Sequence, residues 1–303
     1  MNRSDWQGVI PAITTPFAAD LSIDMAFVEK HVKWLLDAGC TGIVTPGSLG
    51  EGAVLSVEEK SALWRACTKA CGGKAPVIAA IASASTGDAV RAAREAQAAG
   101  CTGLMVLPPY VYKGSWREMR GHFAAILNAT PLSCMLYNNP IAYGTDVLPE
   151  QIAELAAKHA NLHAVKESSG DIRRVTAIRA LIGDRLSILV GMDDVIVEGV
   201  AAGAVGWIAG LVNALPRESV RLFELARDGK HAEAAALYRW FLPLLRMDTT
   251  YDFVQLIKLV LAEVGMIGSG GAGVRPPRLL PEGADLEKSL AAIRAALKSR
   301  PKV

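Results

Sequence analysis

The chain predicts an α/β fold, a (β/α)8 TIM barrel with a C-terminal helical appendage. Three observations carry this. Short apolar, β-rich runs recur eight times, at 9–14, 42–45, 76–82, 103–107, 132–137, 162–167, 186–190 and 204–209. Amphipathic stretches of helical character fill the gaps between them. After Gly210 the runs stop, and four helical stretches follow at 216–228, 231–246, 250–264 and 286–298. Continuous apolar runs suit strands covered on both faces, as in a parallel sheet. Eight βα units suit closure into a barrel. An open, doubly wound sheet has the same strand count and is the alternative. The chain divides into a barrel over 1–215, which carries the active site, and a helical region over 216–303.

Local signals place the helices between these runs. Asp24, Ser115 and Asp171 stand where a side-chain oxygen can accept the first free N–H groups of a helix. Ser56-Val-Glu-Glu59 is a capping box, in which Ser56 and Glu59 each satisfy the other's backbone N–H. Gly39, Gly100 and Gly203 precede new strands, where glycine enters the left-handed region that ends a helix. The Gly- and Pro-rich stretch 268–281 reads as a loop, and the Gly270-Gly-Ala-Gly273 cluster within it as plain connection.

Composition narrows the function. Of 303 residues, 51% are hydrophobic and 20% charged, a globular profile with ample core material. Formal net charge is +2, from 32 basic and 30 acidic residues, and no basic stripe is interleaved with aromatics. Neither nucleic acid nor an anionic membrane is an expected partner. The N-terminus has no signal-peptide pattern, and no apolar stretch reaches the roughly 18 residues a membrane span needs. A cytoplasmic location is therefore expected. The five cysteines, Cys40, Cys67, Cys71, Cys101 and Cys134, are an odd number and read as reduced thiols. Cys67 and Cys71 share a helix face, but no further His or Cys stands near them in sequence, so they read as packing groups rather than metal ligands.

In such a barrel the active site lies at the C-terminal ends of the strands. That rule selects Gly47-Ser-Leu-Gly-Glu51, Pro108-Pro-Tyr-Val-Tyr112, Tyr137-Asn-Asn-Pro140, Lys166-Glu-Ser-Ser-Gly-Asp171 and Gly191-Met-Asp-Asp194. Lys166 stands out because it ends an apolar run. Burial of an ammonium is costly and lowers its pKa, which leaves a free amine able to attack a ketone. The alternative is a structural lysine paired with a carboxylate, Glu167 being the nearest in sequence. Tyr137 reads either as a proton-passing phenol or as an aromatic plug at the rim. The turn at 47–51 offers backbone N–H groups that can hold a carboxylate. It lacks the Gly-Lys-Ser/Thr ending of a phosphate loop, and no GxGxxG follows the first strand, so a nucleotide cofactor is not expected. Asp193 and Asp194 read as the start of a helix, favoured by its dipole. Four of the five histidines (His31, His122, His159, His231) fall on helices, while His163 lies within the sixth strand and reads as a packed core residue.

Taken in order, these motifs resemble the dihydrodipicolinate synthase / N-acetylneuraminate lyase family over almost the whole chain. Gly8-Val-Ile-Pro-Ala-Ile-Thr-Thr-Pro-Phe17 is similar to its opening strand, Gly47-Ser-Leu-Gly-Glu51 to its GxxGE loop and Tyr137-Asn-Asn-Pro140 to its YNxP motif. Lys166-Glu-Ser-Ser-Gly-Asp171 is similar to its Schiff-base segment, and Gly191-Met-Asp-Asp194 and Gly206-Trp-Ile-Ala209 to its late strand ends. The resemblance implies a class I lyase in which Lys166 forms an imine with a 2-oxo acid such as pyruvate. Cleavage or formation of a carbon–carbon bond, or loss of water or ammonia, then proceeds through an enamine. It makes Tyr137 the proton shuttle, assisted by Ser48. The backbone of Gly47, Ser48 and Leu49 holds the carboxylate, while Gly191 and Ile208 line the floor. It implies no metal or organic cofactor, and a homotetramer or dimer.

Three departures separate the chain from the synthase branch. Leu49 replaces a hydroxyl residue, Val111 replaces a second tyrosine, and Ala142 stands in the place of an arginine that holds a second carboxylate. They argue against 4-hydroxy-tetrahydrodipicolinate (dihydrodipicolinate) synthase activity and for a catabolic branch. A small cyclic imine, as in a 4-hydroxy-1-pyrroline-2-carboxylate deaminase, suits a pocket made less polar by Leu49 and Val111. A non-catalytic ligand-binding barrel is a competing class, and retention of Lys166, Tyr137 and Ser48 speaks against it.

Overall fold

A computed structural model describes residues 1–267 and 273–303. Eight parallel strands run through it: β1 Gly8–Pro11, β2 Ile43–Thr45, β3 Val77–Ile81, β4 Gly103–Val106, β5 Ser133–Asn138, β6 Leu162–Glu167, β7 Ser187–Val190 and β8 Gly206–Ala209. They hydrogen-bond in the order β1-β8-β7-β6-β5-β4-β3-β2. The ends of that order meet through a bridge of Ala12 to Val44, with Ile13 N–H donating to the Val44 carbonyl at 3.0 Å. Closure by this contact distinguishes the barrel from the open-sheet alternative.

The helices on the outside are α1 Met25–Asp37, α2 Val57–Cys71, α3 Thr86–Ala98, α4 Trp116–Asn128, α5 Pro140–Tyr143, α6 Pro149–Lys158, α7 Arg173–Ile182, α8 Ile196–Ala201 and α9 Pro216–Arg227. Beyond them come α10 His231–Leu245, α11 Phe253–Glu263 and α12 Gly283–Lys298. Capping follows the sequence signals. Asp24 accepts the Phe27 N–H at 2.9 Å, and the Ser56/Glu59 box forms in both directions. The Ser115 N–H donates to Glu118 at 2.7 Å. Asp171 departs from its expected place: Ile172 is the N-cap of α7, and Asp171, one residue earlier, accepts the Arg173 N–H at 3.1 Å.

Period-two alternation divides the strand residues between two layers. Ile10, Val44, Ile78, Met105, Met135, Tyr137, Ala164, Leu189 and Ile208 fill the barrel interior. Their neighbours Val9, Ile43, Ala79, Leu104, Leu136, Val165, Ile188 and Trp207 pack against the helices. Trp6 is fully buried among the interior residues, and its indole donates to Ser133 Oγ at 2.7 Å. The same alternation turns Lys166 inward, two residues after Ala164 on β6.

Several expectations are corrected. The first strand ends at Pro11 rather than residue 14, because the last bond to β8 is from the Ala12 N–H to the Ala209 carbonyl at 2.9 Å and the Ile13 N–H turns to Val44 of β2. Helix α11 begins at Phe253, since a 3-10 turn at Arg246–Thr249 and a turn after it separate it from α10. His163 is half-buried rather than core, with Nδ1 bonded to Ser133 Oγ at 2.8 Å. All five thiols are buried, and burial pushes Cys40, Cys101 and Cys134 up to about 12. Residues 270–272 of the glycine cluster lie outside the described residues. No described helix is long and apolar enough to cross a membrane.

Candidate active site

A cavity of ≈ 500 Å³ opens at the C-terminal ends of the strands. Ser48, Leu49, Tyr137, Lys166, Gly191 and Ile208 all line it, together with Gly47, so one concavity gathers the residues to which the resemblance gives catalytic or binding roles. Among its described lining residues Lys166 is the one lysine and Asp248 the one carboxylate.

Lys166 is 6% exposed and pairs with no carboxylate among the described residues. Glu167, the alternative partner, faces the other side of β6. It accepts Asn138 Nδ2 at 3.0 Å and the Ser169 N–H at 2.7 Å. The Lys166 amine stands 4.0 Å from the centroid of the Tyr137 ring, its neighbour across the β5–β6 ladder. Room for the lysine comes from Gly191. A Cβ there would lie 2.3 Å from Lys166 Cε and 2.0 Å from Ser168 Oγ. The Ser168 hydroxyl is buried beside the lysine and has no partner among the described residues, so it is free to meet a ligand oxygen.

The hydroxyl groups form a cluster. Tyr137 Oη accepts Asn139 Nδ2 at 3.0 Å. Ser48 Oγ bonds the hydroxyl of Tyr143, not that of Tyr137. The Tyr143 ring packs edge-on against Tyr137 and Tyr110, with centroids 5.6 Å apart in both pairs. Burial, then the neighbouring phenols of Tyr137 and Tyr110, hold the Tyr143 phenol well above its ordinary value. Tyr143 is thus a missed member of the site. It sits on α5, a single turn begun by Pro140 and capped by the Asn139 side chain on the Ala142 N–H at 3.0 Å. The Asn-Pro pair was the available signal for that turn.

The 47–52 turn is tight. A Cβ on Gly50 would lie 2.8 Å from the Ile13 carbonyl and one on Gly52 2.6 Å from that of Pro46. The N–H groups of Ser48 and Leu49 have no protein acceptor among the described residues, which leaves them free to hold an anion. Glu51 faces away from the cavity. It is fully buried and takes Lys258 Nζ at 2.6 Å and the Arg275 N–H at 3.0 Å, while Lys258 also donates to the Gly273 carbonyl at 2.7 Å. This buried ion pair ties the segment after 272 to the barrel and brings Arg278 to the cavity wall.

Asp193 corrects another expectation. Instead of merely opening a helix, its carboxylate turns inward and accepts Trp207 Nε1 at 2.9 Å, the Gly210 N–H at 3.1 Å and the Leu211 N–H at 2.7 Å. Burial raises it to about 6 in spite of those three donors. Val111 also departs from expectation. It adopts φ 69° and is 96% exposed, so it does not line this cavity.

The Dihydrodipicolinate synthetase family matches residues 5–296. The chain belongs to that family. It is 35% identical over 281 residues to the 4-hydroxy-tetrahydrodipicolinate synthase of Xanthomonas axonopodis pv. citri (strain 306), covering 90% of this chain and 89% of that protein. It is 31% identical over 278 residues to the enzyme of the same name from Desulforamulus reducens, covering 91% and 93%. Among solved structures, a dihydrodipicolinate synthase of Bacillus anthracis superposes with TM-score 0.91 at 28% identity, covering 98% of this chain and 99% of that one. The E. coli K12 prophage protein YagE, a member of the dihydrodipicolinic acid synthase family solved in complex with pyruvate, has TM-score 0.88 at 27% identity, covering 97% and 98%. The chain is accordingly a family enzyme of the class I, Schiff-base lyase type.

Proposed function

We propose that Lys166 is the Schiff-base nucleophile and that the substrate is a small 2-oxo acid. The observation that carries this is an inward, buried lysine that, among the described residues, has no carboxylate partner and is the one lysine of the cavity. Its amine attacks the C2 carbonyl, and loss of water gives an iminium. The iminium withdraws electrons from C3, so a C3 proton can leave and an enamine forms. Tyr137, whose ring faces the lysine, exchanges that proton. Tyr143 and Ser48 extend the hydroxyl chain from it along the cavity wall. The free N–H groups of Ser48 and Leu49 hold the substrate carboxylate.

Ala142 lines the cavity where the synthase branch carries an arginine, which supports a substrate without a second carboxylate at that point. The cyclic-imine alternative now rests on Leu49 alone, since Val111 stands outside the cavity. Assembly as a homo-oligomer and a cytoplasmic location remain part of this proposal.

Deuterium exchange tests it. In D₂O the enzyme is expected to exchange the methyl protons of pyruvate, followed by NMR. The exchange should vanish in Lys166→Ala and slow roughly 100-fold or more in Tyr137→Phe. Undiminished exchange in Lys166→Ala would refute the assignment.

A further inference from the structure

Asp248 has no place in the steps above, yet it is built into the cavity. It lies on the 3-10 turn Arg246–Thr249, and its carboxyl group is half-buried in the wall. It rests on Gly210, where a Cβ would lie 1.9 Å from Asp248 Oδ1, so any larger residue at 210 would displace it. Among the described residues nothing in the protein donates a hydrogen bond to it. Its charged neighbours are Asp193, Lys166 and Asp194. The two acids differ in kind. Asp193 receives three N–H groups and is fixed in place by them, whereas Asp248 receives none and faces the cavity. Burial and the adjacent Asp193 hold the Asp248 carboxyl well above the ordinary carboxylate range, which keeps its proton on.

We propose that Asp248 is a catalytic acid that protonates a hydroxyl group leaving from C4 of the lysine-bound enamine, so that the site performs elimination rather than C3–C4 cleavage. The proposal rests on the Lys166 assignment above. The lysine nitrogen's lone pair re-forms the C2=N bond, and the C2=C3 electrons move to make C3=C4. The C4–O bond breaks with its electron pair, and that oxygen takes the Asp248 proton and departs as water. Hydrolysis of the iminium releases a 2-oxo-3-enoic acid and the free amine. The proton that Tyr137 removed from C3 returns through solvent to Asp248, so the net change is loss of one water. Cleavage between C3 and C4 needs the opposite service, a base that removes the proton of the C4 hydroxyl. A carboxyl group that keeps its proton cannot provide it.

The probe is 4-hydroxy-2-oxopentanoate, which reports both outcomes. Elimination gives 2-oxopent-3-enoate, seen by its ultraviolet absorbance, and cleavage gives pyruvate and acetaldehyde, seen by NMR. Wild-type enzyme is expected to form the enoate in excess. Asp248→Asn is expected to lose about 100-fold or more in that rate, with a urea unfolding curve of wild-type slope. The unfolding curve reports that the variant is folded, and pyruvate exchange by wild type reports that Lys166 is competent. Elimination by Asp248→Asn within about threefold of wild type, or cleavage products in excess from wild type, would overturn the proposal. Failure of wild type to exchange pyruvate at all would overturn the Lys166 assignment, and this proposal with it.

Discussion

Gly191→Ala isolates the placement of the reactive amine. Gly191 does not have positive φ, so alanine imposes no backbone strain there. The whole effect is the added methyl group, which would lie 2.3 Å from Lys166 Cε, 2.8 Å from its Cγ and 2.0 Å from Ser168 Oγ. Ordinary contact begins near 3.4 Å. The lysine chain must therefore retreat by about 1 Å, and a misplacement of that size near the reacting atoms costs on the order of 10²-fold in rate. Overpacking of this kind also destabilises by roughly 1–3 kcal/mol. The assay is exchange of pyruvate methyl protons, paired with a urea unfolding curve. Gly121→Ala is the control. That glycine is exposed within α4, and a methyl group added to it would meet nothing within 4 Å, so alanine should leave exchange unchanged and stabilise by about 0.5–1 kcal/mol. Wild-type exchange in Gly191→Ala would refute the claim that this glycine makes room for a catalytic lysine.

Three further outcomes are expected. Tyr143→Phe removes the hydroxyl that bonds Ser48 and should slow pyruvate exchange by roughly 10- to 100-fold with little change in borohydride trapping; equal loss of both would assign Tyr143 to imine formation instead. Lys258→Met leaves Glu51 charged and fully buried and should cost about 3–5 kcal/mol in urea unfolding, and a loss under about 1 kcal/mol would contradict the buried pairing. His31 is buried and held at about 4, below its ordinary 6.5, because burial opposes its charged form. Its folded value is depressed, so its contribution is whole above pH ~6.5 and is lost as pH falls toward ~4. Between pH 7.5 and 4.5 wild type should therefore lose about 2–3 kcal/mol more stability than His31→Gln, and parallel pH profiles would contradict this.

Most of the barrel is legible because its strands are covered on both faces. Continuous runs such as 76–82 and 132–137 mark strands without reference to anything distant. Lys166 is legible for the same reason, as a charge ending a run that must be buried, and Tyr137 is its partner at the end of the neighbouring run. What stays hidden depends on contacts remote in sequence. Asp193 looks like a helix start until the N–H groups of Gly210 and Leu211 and the indole of Trp207 converge on it. Asp248 lies between two stretches with helical character, and its position in the cavity depends on the missing side chain at Gly210. Tyr143 stands beyond the end of the fifth apolar run, and only the one-turn α5 aims it at Ser48. Glu51 shares a motif with Ser48 but serves the C-terminal segment, a division no local pattern reveals.

Sodium borohydride decides whether Lys166 forms the imine. The reagent reduces an iminium to a stable amine, so incubation with pyruvate followed by intact mass and peptide mapping finds the nucleophile directly. A single adduct on the peptide containing Lys166, absent from Lys166→Ala and present in Tyr137→Phe, is the predicted result. An adduct on another lysine, or none while a Schiff-base lyase control is labelled, would contradict it.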